Sequence, residues 1–164
     1  MICSCGTKNP PQALFCMGCG RLLSGSLGQE HRFLSVVFFD LKDSTRLLAQ
    51  GRDQAYATFQ EALQEAAKEA RSRGGFVHRF LGDGLLVLFG APKAQGEEAR
   101  RALEAAWEMV RKSPFPARAG VATGEVLWTP LGSGQAGEAT AVGLPVNLAE
   151  RLSKLAPPGT VLLD

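Results

Sequence analysis

The sequence predicts an α+β protein with a ferredoxin-like β-α-β-β-α-β sandwich, preceded by a small cysteine-rich module. Three observations support this prediction: an apolar, strand-like run over residues 33–39, a helix, hairpin and helix that follow it, and four cysteines confined to the first 19 residues. With 164 residues, the chain has room for one ordinary domain and an appendage. We therefore expect one main domain with at most one active site of its own.

The composition favours a soluble globular protein and argues against two classes of partner. Apolar residues make up 45% of the chain and charged residues 21%, with a formal net charge of +2. Lys and Arg are interspersed with Glu, so the basic tract of a nucleic-acid or membrane-surface binder is missing, and we expect neither partner. Residues 1–5 lack the basic and apolar regions of a signal peptide, and no stretch has about 18 unbroken apolar residues. The sequence therefore predicts a cytoplasmic protein.

The cysteines are arranged in two short pairs. Cys16 and Cys19 form a C-x-x-C knuckle followed by a glycine, whereas Cys3 and Cys5 are one residue closer together than usual. In a reducing compartment such pairs favour metal binding over disulfides, so we predict one structural Zn²⁺ bound by all four thiolates. A redox or disulfide pair and unstructured thiols remain alternatives.

The predicted domain boundaries follow a change in composition after the cysteines. We assign residues 1–24 to a zinc ribbon, residues 25–31 to a Gly- and Ser-containing linker, and residues 32–164 to the main domain. The ribbon resembles small zinc ribbons attached to many bacterial signalling proteins. It would act as a spacer or as a binding element for a protein partner.

The sequence of the main domain predicts a mixed order of strands and helices. The run over residues 33–39 is nearly all apolar, which predicts a strand buried on both faces and ending at Asp40. Ser44 and Thr45 provide N-cap chemistry for a helix that continues to about residue 73. The remaining predicted elements are strand, strand, helix, strand, helix and strand, over residues 76–81, 85–89, 97–112, 117–123, 144–155 and 160–163.

Two acidic residues are predicted to meet at one edge of this sheet. Gly82-Asp83-Gly84 is a hairpin signal, and the topology brings its tip to the edge at which the first strand ends with Asp40. Mg²⁺ is usually bound by one or two carboxylates together with substrate phosphates, which fits Asp40 and Asp83. The flanking glycines, including Gly82, and the amides near Ser44 and Thr45 suit a triphosphate. Taken singly, each aspartate also has an ordinary interpretation as a turn or cap residue.

Several ordered motifs of the main domain resemble the catalytic domain of class III adenylate and guanylate cyclases. The resemblance extends from about residue 32 to residue 164. Its motifs are Phe38-Phe39-Asp40 with Asp43-Ser44-Thr45, Phe80-Leu81-Gly82-Asp83-Gly84 with Phe89-Gly90-Ala91-Pro92, the run from Arg118 to Val126, and the spaced set Thr140, Gly143, Val146, Asn147, Ala149 and Arg151.

The resemblance implies a reaction and a set of roles. It implies conversion of ATP, or less favourably GTP, to the 3′,5′-cyclic monophosphate, with two Mg²⁺ or Mn²⁺ ions at Asp40 and Asp83. Asn147 would orient the ribose and Arg151 would stabilise charge on the α-phosphate. In the family these pairs come from different subunits, which implies a head-to-tail homodimer. Alternatively, Asn147 is a plain surface residue, and Arg151 pairs with a neighbouring glutamate, Glu150 or Glu125.

The sequence departs from the family pattern in two respects. Arg79 stands where adenylate cyclases usually have a purine-selecting lysine, while Thr140 is common in bacterial adenylate cyclases, so ATP is favoured. The sequence also stops at Asp164, where family domains normally continue. Both departures favour an alternative, namely a weak or inactive module that keeps the dimer and nucleotide binding and uses its ribbon to bind a partner.

Two further alternatives are less favoured. A diguanylate cyclase or polymerase-like palm would share the sheet, but the Gly-Gly-Asp/Glu-Glu-Phe turn is missing. A nucleic-acid-binding ribbon would need more basic and aromatic residues than Lys8, Arg21 and Phe15.

Overall fold

The computed structural model describes residues 2–10, 13, 16–20, 30–42, 46, 49, 53–130 and 139–164, with the backbone alone at positions 53, 130, 139 and 140. Its elements, in chain order, are β1 (Glu30–Leu41), α1 (Asp53–Ser72), β2 (Phe76–Leu81), β3 (Gly84–Phe89), α2 (Glu98–Lys112), β4 (Ala117–Pro130), β5 (Ala139–Val142), α3 (Leu144–Leu155) and β6 (Val161–Leu163).

The described strands form one sheet in the order β2-β3-β1-β4-β5, with β6 added beside β4. All neighbouring pairs are antiparallel except β4 and β6, which are parallel. β1 and β2 both run antiparallel to β3, so they point the same way, as the predicted crossover requires. The α+β fold with ferredoxin-like strand order is therefore confirmed.

Each face of the sheet has its own apolar core. On one face, β1, β3 and β4 pack against α1 and α2, with Phe39, Phe59 and Phe89 as large members. On the other face, residues such as Leu34, Leu88 and Trp128 lie in a second cluster with α3. The prediction of a β1 buried on both faces holds for its middle, but Phe33 is 75% exposed.

The helix ends reflect local backbone chemistry. After α1, Gly74 adopts a φ of 82°, and the Gly75 N–H donates to the Ala70 carbonyl oxygen at 2.9 Å. Before α2, the Glu98 carboxylate accepts hydrogen bonds from the N–H groups of Gln95 and Gly96. The predicted stop at Gly74 is thus confirmed, and α2 begins one residue later than predicted.

The structure also differs from the predicted elements in several strands. β4 continues beyond residue 123 to Pro130, and it pairs with β5, which periodicity alone did not reveal because β5 is only four residues long. β1 begins at Glu30, within the stretch assigned to the linker, and β6 begins at Val161. Ser44, Thr45 and most of that linker lie outside the described residues. None of the described helices combines the length and the apolar composition that crossing a bilayer requires.

Candidate active site

Asp40 and Asp83 lie side by side where β1 meets the β2–β3 turn. Asp40 stands opposite Gly84 in the β1–β3 ladder, and the Leu41 N–H donates to the Asp83 carbonyl oxygen at 2.9 Å. The charge of Asp83 also acts on Asp40. The sheet therefore brings the two carboxylates to one edge, in the arrangement that the topology predicts.

Asp40 has a side chain that is only 15% exposed and is paired with Arg118 on β4. The Nε and Nη2 atoms of Arg118 each lie 2.9 Å from Asp40 Oδ2. Burial raises the pKa of the Asp40 carboxyl, the Arg118 hydrogen bond opposes this rise, and repulsion by Asp83 adds to it. The Arg118 guanidinium therefore offsets part of the cost of burying this carboxyl.

Arg118 also connects this edge to α3. Its Nη1 atom donates to the Lys154 carbonyl oxygen at 2.7 Å, in the last turn of α3. The family resemblance includes Arg118 in a motif but implies no separate role for it. Its place directly opposite Asp40 in the β1–β4 ladder is the signal that could have indicated one, but that register is visible only in the structure.

Asn147 and Arg151 share the exposed face of α3, one turn apart, while Pro145, Ala149 and Ser153 form its buried face. Glu150 pairs with Lys154 and Glu125 with His31, so neither glutamate is paired with Arg151. Among the described residues, no hydrogen bond or ion pair joins Asn147 or Arg151 to Asp40. The two halves of the predicted site therefore make no direct contact within the described part of the chain.

The other predicted substrate contacts lie at different places. Arg79 is exposed on β2, and Thr140 is in β5, where only the backbone is described. Gly82 has a φ of 61° in the turn, with open space where a Cβ would lie. A Cβ on Gly84 would lie 2.4 Å from the Phe39 carbonyl oxygen, so this glycine is required by the close approach of β1 and β3.

Comparison with solved structures identifies the fold. The guanylyl cyclase Cya2 is 28% identical and superposes with a TM-score of 0.72, covering 83% of this chain and 76% of its own. The adenylyl cyclase CyaB from P. aeruginosa is 27% identical with a TM-score of 0.74, covering 83% and 78%. The chain has the fold of a nucleotidyl cyclase catalytic domain. A guanylate cyclase domain from Catenaria anguillulae, solved with GTP, shares this fold at 23% identity and a TM-score of 0.72.

The cyclase-fold chain also has sequence relatives, although no model of a known protein family matches it. The uncharacterized protein Rv1319c of Mycobacterium tuberculosis is 34% identical over 136 residues, or 79% of this chain. Rv1318c of the same organism is 34% identical over 144 residues, or 83% of this chain. The chain spans about a quarter of the length of these relatives.

A second cluster lies outside the cyclase fold, at the N-terminus. The ligand atoms of Cys3, Cys5, Cys16 and Cys19 all lie within 4.8 Å of one another, and none of the four forms a disulfide. Cys3 and Cys19 are 3.6 Å apart at sulfur, and Cys5 and Cys16 are 3.5 Å apart. Tetrahedral thiolates around Zn²⁺ lie about 3.8 Å apart, so the four sulfurs fit one ion despite the short first pair.

The environment of Cys16 favours its thiolate. Burial raises the pKa of this thiol, but the amides of Cys19 and Gly18 and the side chain of Asn9 stabilise the anion and lower the pKa to about 5. The pKa of Cys5 is also lowered, chiefly by Thr7. Deprotonated sulfurs are the form that binds a metal.

Asn9 connects the two cysteine pairs, a role that the sequence did not indicate. Its Nδ2 donates to the Thr7 carbonyl oxygen at 2.9 Å and approaches Cys16 Sγ at 3.6 Å, while its Oδ1 accepts from the Met17 N–H at 2.9 Å. Asn9 is buried between the pairs. It therefore orients the thiolates from outside the ligand set.

Replacing Asn9 by alanine is expected to weaken zinc retention by about 10- to 100-fold, because both pairs lose their shared support. The measurement is zinc released from the full chain during titration with a competing chelator. Lys8→Ala changes an exposed neighbour and should retain zinc like wild type. Equal retention by Asn9→Ala and wild type would refute this role.

Proposed function

We propose that the protein is a purine nucleotide cyclase that converts ATP, in preference to GTP, to the 3′,5′-cyclic monophosphate and pyrophosphate. One observation carries the proposal: Asp40 and Asp83 lie side by side at one sheet edge, on a fold shared with solved adenylyl and guanylyl cyclases. In this reaction the ribose 3′-oxygen bonds to the α-phosphorus, and the bond from that phosphorus to the bridging oxygen breaks. The hydroxyl proton leaves to solvent.

The donor set at this edge fits Mg²⁺ or Mn²⁺. Asp40 and Asp83 offer carboxylate oxygens, the ligands that these hard cations prefer, and the fold relatives named above act on purine nucleotides. When bound, such ions neutralise triphosphate charge and make the attacking hydroxyl more acidic. The Arg118 hydrogen bond opposes the effect of burial on the pKa of Asp40 and so favours the ionised form, which is the form that would bind a cation.

Asn147 and Arg151 complete the proposed site from a second subunit. In this assignment Asn147 orients the ribose, and Arg151 stabilises negative charge on the α-phosphate. Their exposure, the lack of an ion pair at Arg151 and the lack of a direct contact with Asp40, all within the described part of the chain, support a head-to-tail homodimer. Arg79 and Thr140 would contact the purine, and Ser44, Thr45 and Gly82 the phosphates.

The four-cysteine cluster is proposed to bind one structural Zn²⁺. The sulfur spacing and the lowered pKa of Cys16 support this assignment. The resulting ribbon would serve as a spacer or as a surface for a protein partner. Its metal has no part in the proposed chemistry at Asp40.

A second candidate function is a module that binds nucleotide and dimerises but turns over slowly or not at all. Two observations favour it: Arg79 replaces the usual lysine, and Arg118 already occupies Asp40. Turnover separates the two candidates directly.

The test is incubation of the purified protein with ATP or GTP and Mg²⁺ or Mn²⁺, with cyclic nucleotide and pyrophosphate both quantified. We expect equal amounts of the two products from wild type and none from Asp40→Ala. Glu104→Ala, which removes an exposed acid on α2, should retain wild-type turnover. If wild type forms no more cyclic nucleotide than Asp40→Ala under any of these conditions, the cyclase proposal is refuted and the second candidate function remains.

The shared-site arrangement predicts complementation. Asp83→Ala and Arg151→Ala should each be inactive, and mixing them in equal amounts should restore about a quarter of wild-type activity. Half of the randomly exchanged dimers are mixed, and each mixed dimer has one intact site of two. If the mixture has no cyclase activity although subunit exchange has been verified, a site built across two subunits is contradicted.

A further inference from the structure

β2 contains a bulge immediately before the proposed metal edge. Val77 pairs with Val87 and Arg79 pairs with Leu86, so His78 is an extra residue between two successive partners on β3. Such a bulge places two residues opposite one and re-aims the side chains around it. Here the two residues are His78 and Arg79.

The bulge determines the face on which Arg79 lies. Val77 packs with the core under α1 and α2, whereas Leu86 belongs to the core on the α3 face. Directly paired residues share a face, so Arg79 lies on the α3 face with Leu86. In a regular strand, the second residue after Val77 would lie on the same face as Val77, away from α3.

The ring of His78 anchors this bulge. His78 is 7% exposed, and its ring centroid lies 6.5 Å from Phe76 and 6.5 Å from Trp128. Phe76 and Trp128 complete the cluster with an edge-on contact at 5.6 Å. Burial, followed by the nearby charge of Arg79, lowers the pKa of His78, so the buried ring is neutral.

The polar atoms of His78 do not explain its burial. Its Nδ1 is buried without a hydrogen-bond partner among the described residues, which is unfavourable. The contacts that the structure shows for the buried side chain are those of its ring with Phe76 and Trp128, and these contacts link the bulge to β4.

We propose that His78 is a positioning residue for substrate selection: its ring, packed against Phe76 and Trp128, holds the bulge that turns Arg79 onto the α3 face and so sets purine discrimination. This inference rests on the proposed function, in which Arg79 contacts the purine. It assigns His78 no contact with substrate.

The test compares purine discrimination, the ratio of kcat/KM for ATP to that for GTP, across a mutant cycle. We expect His78→Ala to change the ratio by about 10-fold, in the same direction as Arg79→Ala, because a misdirected guanidinium loses its contact. The double variant should match Arg79→Ala. His78→Phe, which keeps a ring in the aromatic cluster, should retain the wild-type ratio, and His78→Leu replaces His78→Ala if the latter does not fold.

Two results would overturn the proposal: equal loss of kcat/KM for both nucleotides in His78→Ala, or effects that multiply in the double variant. The ratio of the affinities for fluorescent ATP and GTP analogues is also measured for the same variants by equilibrium binding, which needs no turnover. If wild type binds the two analogues with different affinities but forms no cyclic nucleotide, the proposed function is refuted. The affinity ratios of the four proteins then decide the His78 proposal. No discrimination by wild type in either readout would refute the His78 proposal.

Discussion

Replacing Asp40 by asparagine is expected to lower cyclic nucleotide formation by about 100-fold or more without lowering stability at pH 7. Asparagine keeps a polar side chain near Arg118 but removes the negative charge that the cation needs. Because the pKa of Asp40 is raised in the folded protein, by burial first and by Asp83 as well, its ionised form costs folding free energy above that pKa. The thermal midpoint of Asp40→Asn should therefore equal or exceed that of wild type.

The pH dependence of the thermal midpoint tests whether ionised Asp40 destabilises the folded protein. A carboxyl with a raised folded-state pKa binds its proton more readily in the folded chain than in the unfolded chain, so its penalty disappears as pH falls toward the ordinary value of 3.8. The midpoints of Asp40→Asn and wild type, followed by circular dichroism from pH 7 to pH 4, should converge. Glu104→Gln should change neither turnover nor midpoint. A midpoint for Asp40→Asn several degrees below wild type at pH 7 would show that the Arg118 pair outweighs burial.

Gly120→Val is expected to destabilise the domain by about 3 kcal/mol or more, lowering the thermal midpoint by roughly 5–10 °C. A Cβ at Gly120 on β4 would lie 2.1 Å from the Ala149 carbonyl oxygen and 2.5 Å from the Ser153 nitrogen. Both are backbone atoms of α3, so the whole helix has to move. Because α3 carries Asn147 and Arg151, turnover should fall together with stability.

Urea denaturation followed by circular dichroism measures the change in the free energy of unfolding. Glu125→Val introduces the same side chain at an exposed position of β4 and removes only a surface pair with His31, which is worth about 1 kcal/mol or less. If Gly120→Val unfolds within about 0.5 kcal/mol of wild type, the close packing of α3 on β4 is not a determinant of stability.

The core elements were predictable because their signals are local. β2 and α3 have the predicted bounds, because a strand-like run and an amphipathic helical pattern can both be recognised from neighbouring residues in the sequence. The meeting of Asp40 and Asp83 was also predictable, because crossover handedness and a tight hairpin leave few arrangements of three strands.

Contacts that depend on strand register were not predictable. Arg118 reaches Asp40 because the two stand opposite each other in the β1–β4 ladder, 78 positions apart in sequence. The bulge at His78 shifts the β2–β3 register by one residue, and alternation alone would have placed Arg79 on the wrong face. Asn9 likewise acts through contacts between two cysteine pairs rather than through a pattern of its own.

Glycine roles were only partly assigned from sequence. Both glycines beside Asp83 were expected to give a triphosphate access to the backbone. In the structure, Gly84 is required by the Phe39 carbonyl oxygen and Gly82 by a φ of 61°. The turn geometry alone explains why both are glycine, and phosphate access at Gly82 stays a prediction.

The most direct test of the central claim is Mn²⁺ binding in the presence of a non-cyclisable ATP analogue, followed by electron paramagnetic resonance. Wild type should bind Mn²⁺ in a nucleotide-dependent manner, and the Asp40→Asn/Asp83→Asn double variant should not. Both proteins should retain the same zinc content at the N-terminal cysteines. Equal nucleotide-dependent Mn²⁺ binding by the two proteins would contradict a metal site at Asp40 and Asp83.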